Sequence, residues 1–131
     1  MITNIAHLAF DCADLEVTID FYCNKLGLEK KFDLRDENGE IWIQYIKICH
    51  DQFVEFFPQK NMPAKAPHSY KHLSLQTDDI KGDVERLRSL GVTIDSEVSQ
   101  GLDGAFQAWI KDPDGHPIEL MQLFETSLQR Q

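Results

Sequence analysis

The sequence predicts an α+β fold of paired βαβββ modules that form a curved, open mixed sheet. Two observations predict it: an internal repeat, and a switch between strand-like and helix-like periodicity within each copy. The segment from Ile5 to Leu15 reads as a strand, a His-Leu pair, a polar turn and an apolar residue opening a helix, and Tyr70 to Ile80 repeats that order. His7 and His72 stand 65 positions apart, the helix-closing Gly27 and Gly91 stand 64 apart, and Glu55 and Glu119 stand 64 apart. A single deleted residue reconciles the offsets, so the chain reads as two copies of one unit.

The elements follow in order. Residues 3–10 alternate, with Ile5, His7 and Ala9 on one face and Ala6, Leu8 and Phe10 on the other. Asp14 sits where an N-cap belongs, Leu15, Ile19, Tyr22 and Leu26 follow at helical spacing, and Gly27 supplies a left-handed C-terminal position. A short strand over 29–34 leads to an Asn38-Gly39 hairpin turn, then to strands over 41–49 and 52–57 joined at His50-Asp51. The first module therefore spans 1–58, and the proline-punctuated segment 59–69 is a linker.

The second module spans 70–124. It has a strand over 70–77, a helix capped by Asp79 and closed by Gly91, and strands over 93–99, 105–111 and 116–123. Asp112-Pro113-Asp114-Gly115 is a strong turn between the last two. The polar tail 125–131 is expected to fray. Together the modules make one domain.

Charge and composition exclude several roles. A formal charge of −9 argues against binding nucleic acid or an anionic membrane. No apolar run approaches the roughly 20 residues of a membrane span. The first residues carry Asp11, Asp14 and Glu16 without a basic leader, so they do not read as a signal peptide. Cys12, Cys23 and Cys49 are odd in number and lack CxxC spacing, which fits reduced thiols and a cytoplasmic location. A small-molecule substrate is the expected partner.

Strand parity singles out four residues. Glu55 shares a face with Phe53 and Phe57, and Glu119 with Pro117 and Met121, while the opposite faces are apolar too. A carboxylate so placed is costly unless paired or bound to a metal. Each copy thus offers one His from its first strand and one Glu from its last. A lone strand histidine is usually a hydrogen-bonded core or rim residue, and a lone glutamate usually a solvated charge. Four such residues at matching points of a repeat are a different case. His7, Glu55, His72 and Glu119 form an N/O donor set that suits Ni, Zn, Co, Mn or Fe(II), and is too rich in nitrogen for calcium. His50, His68 and His116 lie at turns or in the linker and read as solvated. Cys12 and Cys49 have no basic neighbour to activate a thiolate. Trp42, Tyr45, Phe106 and Trp109 read mainly as core.

With these residues in view, the sequence resembles the vicinal oxygen chelate superfamily, whose best-known member is glyoxalase I. His7, Asp14-Leu15, Asp20-Phe21-Tyr22, Leu26-Gly27-Leu28 and the run Asp112 to Leu120 carry the resemblance, which covers about residues 3–123. It implies paired βαβββ modules around a divalent metal, with His7, Glu55, His72 and Glu119 on the four ligand positions. It also implies a homodimer, with each site built within one chain or across two. The His/Glu/His/Glu set favours a lyase or isomerase of the glyoxalase type, working through a metal-chelated enediolate on a small oxygenated substrate or a thiol hemithioacetal. Glu119 or Glu55 is the implied base, with Glu119 preferred. An epimerase or Fe(II) dioxygenase on the same scaffold, or a drug-binding protein without catalysis, are the alternatives. Two departures weigh against glutathione as the thiol. Asp11 stands where glyoxalase I usually carries an arginine, and Phe56-Phe57-Pro58-Gln59 replaces an asparagine-bearing segment.

Overall fold

The computed structural model describes residue 1, residues 5–62 and residues 70–131. The chain divides into two compact units, Met1–Pro67 and His68–Gln131. Each is a βαβββ module with its own four-stranded mixed sheet, so the α+β repeat expected from the sequence is present.

The first module contains β1 (His7–Cys12), α1 (Leu15–Ile19), a π-helical turn (Asp20–Lys25), β2 (Glu29–Arg35), β3 (Ile41–Cys49) and β4 (Gln52–Pro58). Its strands lie in the order β1-β4-β3-β2, with β1 parallel to β4 and the other pairs antiparallel. The Asp14 carboxylate starts the helix by accepting from the Glu16 and Val17 amides at 3.0 and 3.2 Å. Gly27, at φ 77°, ends it in the left-handed region that disfavours a Cβ. The covered face of the sheet buries Phe10, Ile46, Val54 and Phe56 beneath Phe21 and Tyr22. The Tyr22 and Phe56 rings meet at 4.6 Å, which makes Phe56 the centre of this core.

The second module contains β5 (Leu73–Gln76), α2 (Ile80–Ser89), β6 (Ser96–Gln100), β7 (Phe106–Lys111) and β8 (Pro117–Gln122), in the order β5-β8-β7-β6. Again the first and last strands pair in parallel. Asp79 caps α2 through the Gly82 amide at 3.1 Å. Ile80, Val84 and Leu87 recur at helical spacing and are buried, as are Leu73, Ala108, Ile110, Ile118 and Leu120 of the sheet. The turn before β8 is organised by Asp112, whose Oδ1 accepts from the Asp114 and His116 amides.

Several expectations differ from the structure. The first helix changes from α to π at Asp20: the Leu26 amide bonds to the Phe21 carbonyl at 2.9 Å. The wider turn accommodates two consecutive buried rings, Phe21 and Tyr22, which an amphipathic stripe at 3.6-residue spacing does not provide for. Trp42 is 56% exposed, not core, because the β3–β4 ladder begins beyond it at Gln44↔Phe56. The tail is not frayed. Ser127 is fully buried, the Leu128 amide bonds to the Asp103 carbonyl, and residues Leu128–Arg130 form a 3-10 turn. A backbone anchor, invisible in the tail's polar composition, holds it. Strand ends shift by a few residues; β5 starts at Leu73, so His72 lies just before its strand. Among the described residues, no helix is long and apolar enough to cross a membrane.

Candidate metal centre

Register explains how each His meets its Glu. In the first module His7 lies opposite Phe53 and Ala9 opposite Glu55, so His7 and Glu55 share one face of adjacent parallel strands. That face is turned away from the helix-covered residues Val54 and Phe56, as parity predicts. In the second module Ser74 pairs with Glu119, and His72 precedes it by two residues on the same face. The two carboxylates are buried, at 5% and 6% exposure. The imidazoles are far more open: the His7 and His72 side chains are 48% and 36% exposed.

The distances within the two pairs are equal. His7 Nε2 lies 3.5 Å from Glu55 Oε2, and His72 Nε2 lies 3.5 Å from Glu119 Oε2. This is longer than a good N–H···O hydrogen bond, which is about 2.7–3.2 Å. It lies just above the separation of two donors that share an ion. Ligands about 2.1 Å from a metal stand roughly 3.0–3.4 Å from each other in octahedral or tetrahedral geometry. Two imidazoles and two carboxylates also suit a divalent transition ion by charge and softness. The donor chemistry of each pair therefore suits such an ion, two donors to a module. Among the described residues, no group of three or more His, Cys, Asp or Glu side chains is close enough to hold a metal by itself.

The strand next to each glutamate carries an aromatic that the sequence reading assigned mainly to core. Tyr45 lies directly opposite Glu55 on the neighbouring strand. Its interaction with that carboxylate, then burial, raises the phenol above the ordinary tyrosine value. Trp109 lies opposite Glu119, but its ring meets His72 edge-on at 4.8 Å. The signal for both was present in the repeat: Tyr45 and Trp109 are 64 positions apart, the same offset as the glutamates.

The remaining histidines sort differently. His50 is exposed at a turn with φ 43°. His116, expected to be solvated, is half-buried with Nδ1 2.7 Å from Asp112 Oδ2, because the same aspartate that shapes the turn also faces its ring. His68 lies outside the described residues. Asp11, one of the departures noted above, accepts from Gln59 Nε2 at 3.0 Å, so the two departing positions hold each other.

The sequence matches the family model of the Glyoxalase/Bleomycin resistance protein/Dioxygenase superfamily over residues 4–120. The chain belongs to this superfamily. Its relatives within the superfamily span different activities. A metallothiol transferase, FosB, from Staphylococcus epidermidis is 27% identical over 127 residues, covering 91% of this chain and 81% of that protein. A lactoylglutathione lyase from Salmonella typhimurium is 27% identical over 132 residues, covering 90% of this chain and 91% of the lyase. Among solved structures, TnmS3, an antibiotic-binding protein from a Streptomyces species, superposes with a TM-score of 0.77 at 26% identity, covering 94% of this chain and 98% of that one. Superfamily membership thus fixes the scaffold and leaves the reaction to the site.

Proposed function

We propose that this protein is a metal-dependent lyase or isomerase of the glyoxalase type, acting on a small substrate with adjacent oxygens or on its thiol adduct. The observation that supports this reading is the His–Glu pair repeated at 3.5 Å in both modules, each with a buried carboxylate. His7, Glu55, His72 and Glu119 would hold one divalent ion, within one chain or between the chains of a homodimer. When bound, the ion supplies Lewis-acid stabilisation of the negative charge that develops on a substrate oxygen as a proton leaves carbon.

The chain's own residues do the rest. Glu119 takes that proton and returns it to the same or the neighbouring carbon. Its burial limits competition from bulk water for the proton. Glu55 serves as the second carboxylate ligand, opposite Tyr45 on the neighbouring strand. Asp11 brings negative charge to the end of β1, and Arg35 is engaged by Asp33 and the Gly39 carbonyl at 3.0 Å each. Both features disfavour a thiol as anionic as glutathione.

A second reading is a binding protein that sequesters a small molecule, and the likeness to TnmS3 favours it. Elemental mass spectrometry on untagged protein separates the two. Near-stoichiometric Ni, Zn, Co or Mn, followed by turnover of dicarbonyl–thiol adducts, is the expected result. Iron with oxygen consumption would redirect the assignment to a dioxygenase. No metal as purified, and none taken up on reconstitution, would overturn the enzyme reading in favour of the binding protein.

A further inference from the structure

The two modules part company at the residue that precedes each histidine. In the first, the Phe53 amide donates to the Ala6 carbonyl at 3.0 Å, and the ladder of β1 and β4 includes His7, opposite Phe53. The repeat offsets put Lys71 in the place of Ala6 and Pro117 in the place of Phe53. Proline has no N–H, so the equivalent ladder bond to Lys71 cannot form. The parallel pairing accordingly begins one residue later, at Leu73↔Ile118, and leaves His72 just outside its strand. A side chain acts there instead. The Tyr70 hydroxyl donates to the Pro117 carbonyl at 3.1 Å, and the Tyr70 ring meets His116 edge-on, with 6.1 Å between centroids. His116 is in turn held by the buried Asp112, with Nδ1 2.7 Å from Oδ2. Ile5 occupies the position of Tyr70 in the first module and is exposed.

We propose that Tyr70 is a positioning residue for His72: its hydroxyl ties the segment ahead of β5 to the start of β8, in place of the backbone bond that proline removes. The tie links the residue two before His72 to the residue two before Glu119, so it sets how the two members of the pair approach each other. Trp109, edge-on to the imidazole at 4.8 Å, limits the ring itself, whereas Tyr70 limits the backbone that carries it. The placement of His72 does not depend on metal; its consequence for metal binding rests on the reading that His72 and Glu119 are ligands. A histidine on an untied backbone loses more freedom on binding an ion, which lowers affinity by about 2–10-fold, the worth of one hydrogen bond.

The test uses the full untagged chain as wild type, Tyr70→Phe, Pro117→Ala and the double variant. The first substitution keeps the ring against His116, and the second returns an N–H to the strand. In the metal-free protein, NMR reads amide exchange at residues 71–73 and the imidazole resonances of His72 and His7. Tyr70→Phe is expected to speed that exchange by about 2–10-fold and to shift the His72 resonances, with those of His7 unchanged. Adding Pro117→Ala is expected to restore both, since the ladder bond to Lys71 can then form. Unchanged exchange and unchanged His72 resonances in Tyr70→Phe, or a double variant as loose as Tyr70→Phe, would overturn the positioning role and leave the metal reading standing. Co(II) affinity, by competition with a chelator, reads the consequence, and Tyr70→Phe is expected to weaken it by about 2–10-fold. A wild-type chain that takes up no Co(II) would remove the metal reading, and the exchange measurement would still decide the role of Tyr70.

Discussion

The two modules share strand order, parallel first and last strands and a His–Glu pair at the same distance, yet they support the pair in opposite ways. In the first, Tyr45, packed against the Phe32 and Phe53 rings, lies opposite the carboxylate. In the second, an indole packs on the imidazole. The helices differ as well: a five-residue α-helix widens into a π turn in the first, while α2 is a regular ten-residue helix in the second. A repeated backbone therefore preserved the His and Glu positions while the cross-strand neighbours diverged. What differs between the modules is the side chain set opposite each carboxylate, Tyr45 in one and Trp109 in the other.

The largest expected effect comes from the glutamates. Glu119→Gln is expected to lower kcat by 10²–10⁴-fold, on the order expected for loss of a general base. Glu55→Gln is expected to abolish turnover chiefly through weakened metal binding. Measuring kcat and metal content on both variants separates the roles, and full activity in both would break the assignment altogether.

A second experiment asks whether the two pairs serve one site from different chains. His7→Ala and His72→Ala variants are each expected to be inactive. If a site takes His7 and Glu55 from one chain and His72 and Glu119 from another, mixed dimers carry one intact site, and up to half of wild-type activity per dimer returns. If the site is built within one chain, mixing restores nothing, and activity of the mixture decides the matter.

The smallest effect reports on the first module alone, which contains all three cysteines. Cys49 is exposed, Cys12 is fully buried, and burial raises the Cys23 thiol above its ordinary value. A raised thiol pKa means less thiolate at mildly alkaline pH, so Cys49 is expected to react first with an alkylating agent and Cys23 more slowly. Cys12 is expected to label only when the module opens. Mass spectrometry of the native protein against time checks this order, and fast labelling of Cys12 would show that the first core is looser than its packing implies.

Much of this was legible in the residues. The offsets of 64 and 65 gave the repeat, parity put Glu55 on the face of Phe53 and Phe57, and Asp14, Asp79 and Gly27 marked the helix ends where the structure has them. The π turn was not legible, because helical periodicity does not register one extra residue in a turn. Nor was the anchored tail, which the Leu128 amide and the Gln129 side chain tie to Asp103, more than twenty residues away. Tyr45 was hidden because aromatic residues on strands are usually core, and composition says nothing about which of them lies opposite a buried acid.

The sequence by itself thus determined the module, the order of its elements and the four candidate ligands, because periodicity and repetition are local properties of the chain. Only the tertiary structure decided which partner each of those ligands meets. Those contacts depend on strand register, on bulges and on the rings that pack around them, and hydrogen bonds between strands set them where spacing along the chain cannot.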